Sequence, residues 1–161
     1  MIQQRVSELA QDVCRRTNPE LLHVIITLKG AIFFAADLLR ELPPVASVDF
    51  IRVSSYQGTD STGKIEVSDF CIREVKQKQV LLIEDIFDTG LTIKHIYHHL
   101  WQQEPYSLDL CVLLEKRKRR EDVNISSDYV GFYIEDNFVV GYGMDYNGKF
   151  RNLPDIHILE V

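Results

Sequence analysis

Apolar and polar positions along the chain follow two periods. Within Ile2 to Arg16, the apolar residues Ile2, Val6, Leu9, Ala10 and Val13 recur at three- and four-residue steps, which predicts an amphipathic helix. Leu21 to Thr27 is a short, β-branched-rich apolar run ending at Lys29-Gly30, the pattern of a buried strand and then a turn. Ala31 to Leu42 has helical spacing and is stopped by Pro43-Pro44. Val48 to Tyr56 reads as a second strand, Gln57 to Lys64 as a polar loop, and Ile65 to Ile72 as a strand beyond it. Val80 to Ile83 is continuously apolar, as in a strand covered on both faces. Leu91 to Gln103 is a helix with Ile93, Ile96, Tyr97 and Leu100 on one side, and Leu108 to Leu114 is another buried strand. Tyr129 to Ile134, Phe138 to Tyr142 and Ile156 to Leu159 are short strands joined by turns. This alternation predicts an α/β fold with a mainly parallel central sheet flanked by helices and a small C-terminal hood. No repeat or linker divides the chain, so residues 1–161 are expected to form one domain.

Composition narrows the class. The chain has 161 residues, 45% of them apolar and 26% charged, enough to bury a core and too apolar for disorder. No apolar run approaches the ~18 residues of a spanning helix, so no membrane association is expected. Met1 to Cys14 lacks the pattern of a secretory signal. The net charge of -6 disfavours general binding to nucleic acid. Cys14, Cys71 and Cys111 are scattered without a CxxC pair, so neither a disulfide framework nor a zinc knuckle follows. Three reduced, half-buried thiols in a cytoplasmic protein are the plain expectation.

The chemistry concentrates in Val80 to Thr92. A buried strand runs into the adjacent acids Glu84 and Asp85, then a loop with Asp88, Thr89, Gly90 and Leu91, and a helix opening at Thr92's turn. Ligands of open α/β sheets sit at the carboxyl ends of strands. Backbone N–H groups of Thr89 to Thr92 would face outward at a helix N-terminus and favour an anion, with the threonine hydroxyls as further donors. Glu84 and Asp85 would repel a phosphate but suit hydroxyl groups or a divalent cation. A phosphorylated sugar satisfies both demands. The plainer alternative is a solvated acid pair and an Asp/Thr helix cap; an acidic pocket of the response-regulator type gives no reason for the Thr-Gly-x-Thr cradle.

The run Val80 to Thr92 resembles the phosphoribosyl-diphosphate signature of the type I phosphoribosyltransferases. Leu28-Lys29-Gly30, Val48 to Arg52 running to Ser55-Tyr56, Leu114 to Arg117, and Tyr129 to Tyr146 followed by Arg151 resemble the hypoxanthine(-guanine) phosphoribosyltransferases, nearly end to end and in order. The segment Phe138 to Tyr146 is the part most specific to this purine-salvage branch.

The resemblance implies that N9 of a 6-oxopurine, hypoxanthine or guanine, attacks C1 of 5-phosphoribosyl diphosphate. Pyrophosphate leaves, and IMP or GMP forms through an oxocarbenium-like transition state. It implies Mg²⁺ as cofactor, with Asp145 the main metal position and Glu84 and Asp85 holding ribose hydroxyls and touching a second metal. Lys29 and Gly30 would offer backbone N–H to pyrophosphate, and Arg151 a guanidinium. A cis peptide is expected between Leu28 and Lys29. At the purine end Phe138 would stack on the base, the Val139 carbonyl would accept from the ring edge, and Lys116 would donate to the oxygen at C6. Asp88 would be the general acid/base near N7. Ser55, Tyr56 and the loop to Lys64 resemble a lid that excludes water. Family members usually form dimers or tetramers. They often carry an extra N-terminal strand in the hood, so either a reduced hood or further residues ahead of this sequence is expected.

Other leads carry less. Gly58 to Lys64 fits GxxxxGK of a P-loop, but Ile65 replaces the required Ser/Thr and a strand follows. The basic run Lys116 to Arg120 reads, beyond Lys116, as a solvated loop. His95, His98 and His99 lack a third-ligand pattern and read as surface histidines. Asn124-Ile125-Ser126 matters only in a secreted chain. Trp101 and Tyr97 are expected in core or interface packing. A second function class, a non-catalytic regulator of the same fold sensing phosphoribosyl diphosphate or nucleotides, leaves Lys116 and Phe138 without a purpose. The choice among hypoxanthine, guanine and xanthine rests on backbone geometry near Met144 and Asp145.

Overall fold

The computed structural model describes residues 1–44, 47–55, 65–70, 74–116 and 124–160, with side chains left out at 53–55 and 65–70. Tyr56, the loop to Lys64, Cys71 and the basic residues 117–120 lie outside this set. The elements in order are α1 (Ile2–Arg16), β1 (Leu22–Leu28), α2 (Ile32–Glu41), β2 (Ser47–Ser55), β3 (Ile65–Phe70), β4 (Gln79–Phe87), α3 (Leu91–Trp101), β5 (Ser107–Lys116), β6 (Tyr129–Ile134), β7 (Val139–Val140) and β8 (His157–Ile158).

The main sheet has the order β3-β2-β1-β4-β5-β6. Its five strands from β2 to β6 in that order are parallel, and β3 pairs antiparallel at the edge. Side chains on the parallel strands divide by the two-residue period of a strand. Leu81 and Ile83 of β4 join Val24 and Ile26 of β1 beneath α1 and α2, whereas Val80 and Leu82 join Ile25, Leu110 and Val112 beneath α3. Both faces are covered, which is why Val80 to Ile83 carries no polar residue. At roughly 25 cal/mol per Å², each of these fully buried aliphatic side chains contributes about 1.5–3 kcal/mol relative to exposure. Helix α1 is also tied to the β6 edge, since Arg5 donates to the carbonyls of Val130 and Gly131.

Strand order reverses at β1: the chain steps from β1 outward to β2, then returns to β1's other side for β4. A crevice opens at such a switch point, above the carboxyl ends of the two central strands. The segments there are Leu28 to Gly30 after β1 and Glu84 to Gly90 at the end of β4.

Several boundaries differ from expectation. Strand β4 continues through both acids, with Glu84 opposite Val112 and Phe87 opposite Glu115; the acids lie within the ladder, because a buried neighbour keeps the strand paired past its apolar stretch. The expected strand over 138–142 shrinks to Val139–Val140. Gly141, Tyr142 and Gly143 all have positive φ (98°, 49° and 106°), which no strand accommodates. Instead Gly141 and Met144 exchange backbone hydrogen bonds in a tight turn. Trp101 is 50% exposed and lies outside the core. Tyr97 is partly buried, its hydroxyl donating to the Leu108 carbonyl. Cys14 is exposed and Cys111 buried, so neither thiol is half-buried. No helix among the described residues is long and apolar enough to cross a membrane.

Candidate active site

Two adjoining clefts occupy the crevice. The larger, of about 290 Å³, is lined by Glu84, Asp88, Thr89, Gly90 and Thr92, all from the end of β4, the turn after it and the start of α3. The other, of about 240 Å³, gathers Gly30, Asp85, Lys116, Phe138, Asp145 and Arg151 from five separate segments. Ile86 and Asp88 line both, so the two clefts form one continuous site.

The first cleft is built on one continuous strand–turn–helix segment. Gly90 has φ of 84° and is the N-cap of α3, where its carbonyl accepts from Lys94 N at 2.8 Å. A residue with a side chain would be strained there. The turn brings the N-terminus of the eleven-residue helix to the cleft, beside the Thr89 and Thr92 side chains. The cap residue is a glycine without a side-chain hydrogen bond of its own, and the Thr89 hydroxyl beside it accepts from Leu91 N at 3.4 Å, so the plainer alternative's threonine cap is present in part. Leu91, expected in the cradle, has its side chain 42% exposed and outside the lining, so it contributes backbone only.

Glu84 and Asp85 serve different clefts, as neighbours on a strand do. Glu84 is buried, and its Oε2 has no hydrogen-bond partner. Burial first, and the neighbouring Asp85 carboxylate second, push its carboxyl well above the usual range. Asp85 lies against Gly30: a Cβ there would overlap the Asp85 carboxylate. The cis peptide bond expected between Leu28 and Lys29 is present and leads into this close approach. The Lys29 side chain points to solvent.

The wall opposite is the 141–151 segment. Gly143 is needed because a Cβ would overlap the Gly30 carbonyl. Arg151 donates to the Gly143 carbonyl at 2.6 Å and pairs with Asp145 Oδ1 at 2.5 Å, while Gly148 N donates to Asp145 Oδ2 at 2.7 Å. The Tyr142 hydroxyl donates to Asp37 on α2 at 2.6 Å, tying this wall to the helix that follows Gly30. Phe138 is 47% exposed at the mouth, with Tyr146 set edge-on to it, ring centroids 5.6 Å apart. Lys116, at the end of β5, is buried; its Nζ lies 3.3 Å from Asp88 Oδ2 and 3.1 Å from Asp136 Oδ1.

The crevice thus joins anion donors, carboxylates, a buried ammonium and an exposed aromatic face around Asp88. A phosphoribosyl transferase domain model matches residues 1–147. The chain belongs to the phosphoribosyltransferase family. The chain is 41% identical over 161 residues to a hypoxanthine-guanine phosphoribosyltransferase of Aquifex aeolicus, covering 99% of this chain and 90% of that one. It is 38% identical to a hypoxanthine-guanine-xanthine phosphoribosyltransferase of Tritrichomonas foetus, over 99% of this chain and 87% of the relative. A crystal structure of a hypoxanthine-guanine phosphoribosyltransferase from Bacillus anthracis superimposes with a TM-score of 0.91 at 41% identity, over 99% of this chain and 94% of that chain.

For a phosphoribosyltransferase of this branch, the fold gathers Gly30, Glu84, Asp85, Asp88, Thr89, Gly90, Thr92, Lys116, Phe138, Val139, Asp145 and Arg151 around the two clefts. Ser55 ends β2, its side chain not described, and Tyr56 lies outside the described residues. Asp136 was not singled out by sequence. The signal that could have found it was its place two residues before Phe138 in an acidic pair with Glu135.

Proposed function

We propose that this chain salvages purines by transferring the phosphoribosyl group of phosphoribosyl diphosphate to N9 of hypoxanthine or guanine, with loss of pyrophosphate. The observation that carries this reading is the junction at Asp88: an anion cradle on one side and an ammonium-bearing, aromatic-mouthed cleft on the other, sharing one carboxylate. A 5′-phosphate suits the helix N-terminus at Thr89 to Thr92. The ribose hydroxyls suit Glu84 and Asp85, whose acceptors an anion would avoid. The leaving pyrophosphate suits the backbone after Lys29 together with Arg151.

On the base side, Phe138 offers a ring to stack on. The Val139 carbonyl accepts from the base edge, and Lys116 donates to the oxygen at C6. Adenine carries a donor at that position and would face the ammonium unfavourably, so 6-oxopurines are selected. Asp88, beside the ribose, would hold or pass the proton at N7 as charge develops on the base. The reaction centre is oxocarbenium-like, so these groups act mainly by placing charge.

The donor set also fits Mg²⁺. It is oxygen only, and the buried, unpartnered Glu84 Oε2 is an atom that gains from a cation nearby. Asp145 and Asp85 line the cleft where pyrophosphate would sit. No cluster of three or more ligating side chains occurs among the described residues. Bound there, Mg²⁺ would neutralise the departing pyrophosphate. Ser55 and Tyr56, by resemblance, begin the lid.

We read residues 1–161 as one domain, working in the cytoplasm, where the free thiols Cys14 and Cys111 stay reduced. Exposed apolar side chains such as Ile32, Phe33 and Phe50 favour at least a dimer; sedimentation as a monomer at micromolar concentration would refute that. The direct test supplies phosphoribosyl diphosphate, Mg²⁺ and each purine in turn. Nucleotide should form with hypoxanthine or guanine and hardly with adenine. Binding of phosphoribosyl diphosphate without turnover of any purine would instead favour a non-catalytic sensor.

A further inference from the structure

Lys116 has three ammonium protons to place and is only 5% exposed, so each direction matters. Two are directed at carboxylates on different segments: Asp88 Oδ2 at 3.3 Å, from the turn after β4, and Asp136 Oδ1 at 3.1 Å, from the turn between β6 and β7. Asp88 lines both clefts; Asp136 lines neither. Asp136 therefore reaches the ammonium from outside the lining of both clefts. Its turn is closed by Asn137 N donating to the Glu135 carbonyl at 2.8 Å, just ahead of Phe138.

We propose that Asp136 is a positioning residue for purine selection: with Asp88 it fixes two of the three N–H directions of Lys116 and so aims the third into the cleft. This rests on the reading of Lys116 as the contact to the oxygen at C6. An ammonium held by one carboxylate can rotate about that contact, and a lysine's four-carbon stem gives it many rotamers to lose when the base arrives. Held by two, it meets the base already oriented. Without Asp136, the attraction of Asp88 is also unopposed, and Lys116 swings onto the carboxylate that N7 needs. Both consequences fall on the purine and on Asp88, not on the Thr89 to Thr92 cradle or the 141–151 wall.

The experiment compares wild type, Asp136→Asn, Asp136→Glu and Lys116→Met by steady-state kinetics with hypoxanthine, adenine and phosphoribosyl diphosphate, alongside thermal melts. Asp136→Asn should raise the KM for hypoxanthine about tenfold and leave that for phosphoribosyl diphosphate within about twofold. It should narrow the preference for hypoxanthine over adenine. The melting temperature should hardly move, because the Asp136 side chain is 43% exposed, so the solvated carboxylate adds little to stability. Asp136→Glu should recover most of the loss. An unchanged hypoxanthine KM in Asp136→Asn, a matched rise for both substrates with a lower melting temperature, or no recovery in Asp136→Glu would overturn the proposal. If Lys116→Met also leaves the hypoxanthine KM unchanged, the reading of Lys116 falls too. If only Asp136→Asn is silent, Lys116 keeps its contact to the base and Asp136 loses its positioning role.

Discussion

The two halves of the site are built in opposite ways. The phosphate half is one stretch, Glu84 to Thr92, in which a strand, a glycine turn and a helix N-terminus follow each other directly. Its chemistry joins a helix N-terminus to side chains that are neighbours in sequence. The purine half is assembled from the end of β5 and the turn before β7, with the pyrophosphate wall of Gly30, Asp145 and Arg151 beside it, and its chemistry is side chains held by long-range pairs. The first is fixed by local conformation, and the second by sheet order. Substitutions in the two halves should therefore separate by which substrate they affect, and only the shared carboxylate should disturb the chemical step itself.

Asp88, common to both, should give the largest effect. Asp88→Asn is expected to lower kcat by about 10²–10⁴-fold while changing the KM for phosphoribosyl diphosphate less than about threefold; retained turnover would remove its proton-transfer role. Gly30→Ala comes next. The added methyl meets the Asp85 carboxylate, so the turn or the acid must move, and the KM for phosphoribosyl diphosphate should rise by ~10-fold or more, equivalent to at least about 1.4 kcal/mol. Gly90→Ala keeps the helix but forces a side chain into φ of 84°, costing about 1–2 kcal/mol. It should weaken sugar-phosphate binding with the hypoxanthine KM nearly untouched; an equal effect on both KM values would break the division between the halves.

Glu84→Gln sharpens the same division through stability. The folded-state pKa of Glu84 is raised above its ordinary 4.5 by burial and by Asp85. The folded chain therefore keeps that proton after the unfolded chain has lost it, so stability falls as pH rises above about 4.5 and levels off once Glu84 ionises in the folded state. The glutamine variant lacks this loss. Its melting temperature should exceed the wild type's at neutral pH by a few degrees and match it near pH 4, while its affinity for the sugar phosphate drops. A variant less stable than wild type at neutral pH would contradict the raised carboxyl.

The same contrast explains what could be read from sequence. The α1 boundaries follow from Ile2, Val6, Leu9, Ala10 and Val13, and β4 from an apolar run that only two-sided burial requires. The phosphate turn was legible because acids, Thr and Gly fall in an order with local physical meaning. The purine half has no such local logic. Lys116, Phe138 and Asp145 were placed by family resemblance, and the partner that no motif pointed to, Asp136, meets Lys116 across twenty residues of chain. The strand expected through Tyr142 failed for a related reason. Tyr142 takes positive φ because its hydroxyl is anchored on Asp37 of α2, a tertiary contact that overrides a β-favouring residue.

The most direct test of a single site with two dissimilar halves is calorimetric titration of IMP, which carries purine and 5′-phosphate on one ribose, into wild type, Gly90→Ala, Lys116→Ala and the double variant. Each single change should weaken IMP binding by about tenfold, and the double change by roughly the product, since the altered groups grip opposite ends of one ligand. Undiminished IMP affinity in either single variant would mean that its half of the crevice does not hold the nucleotide.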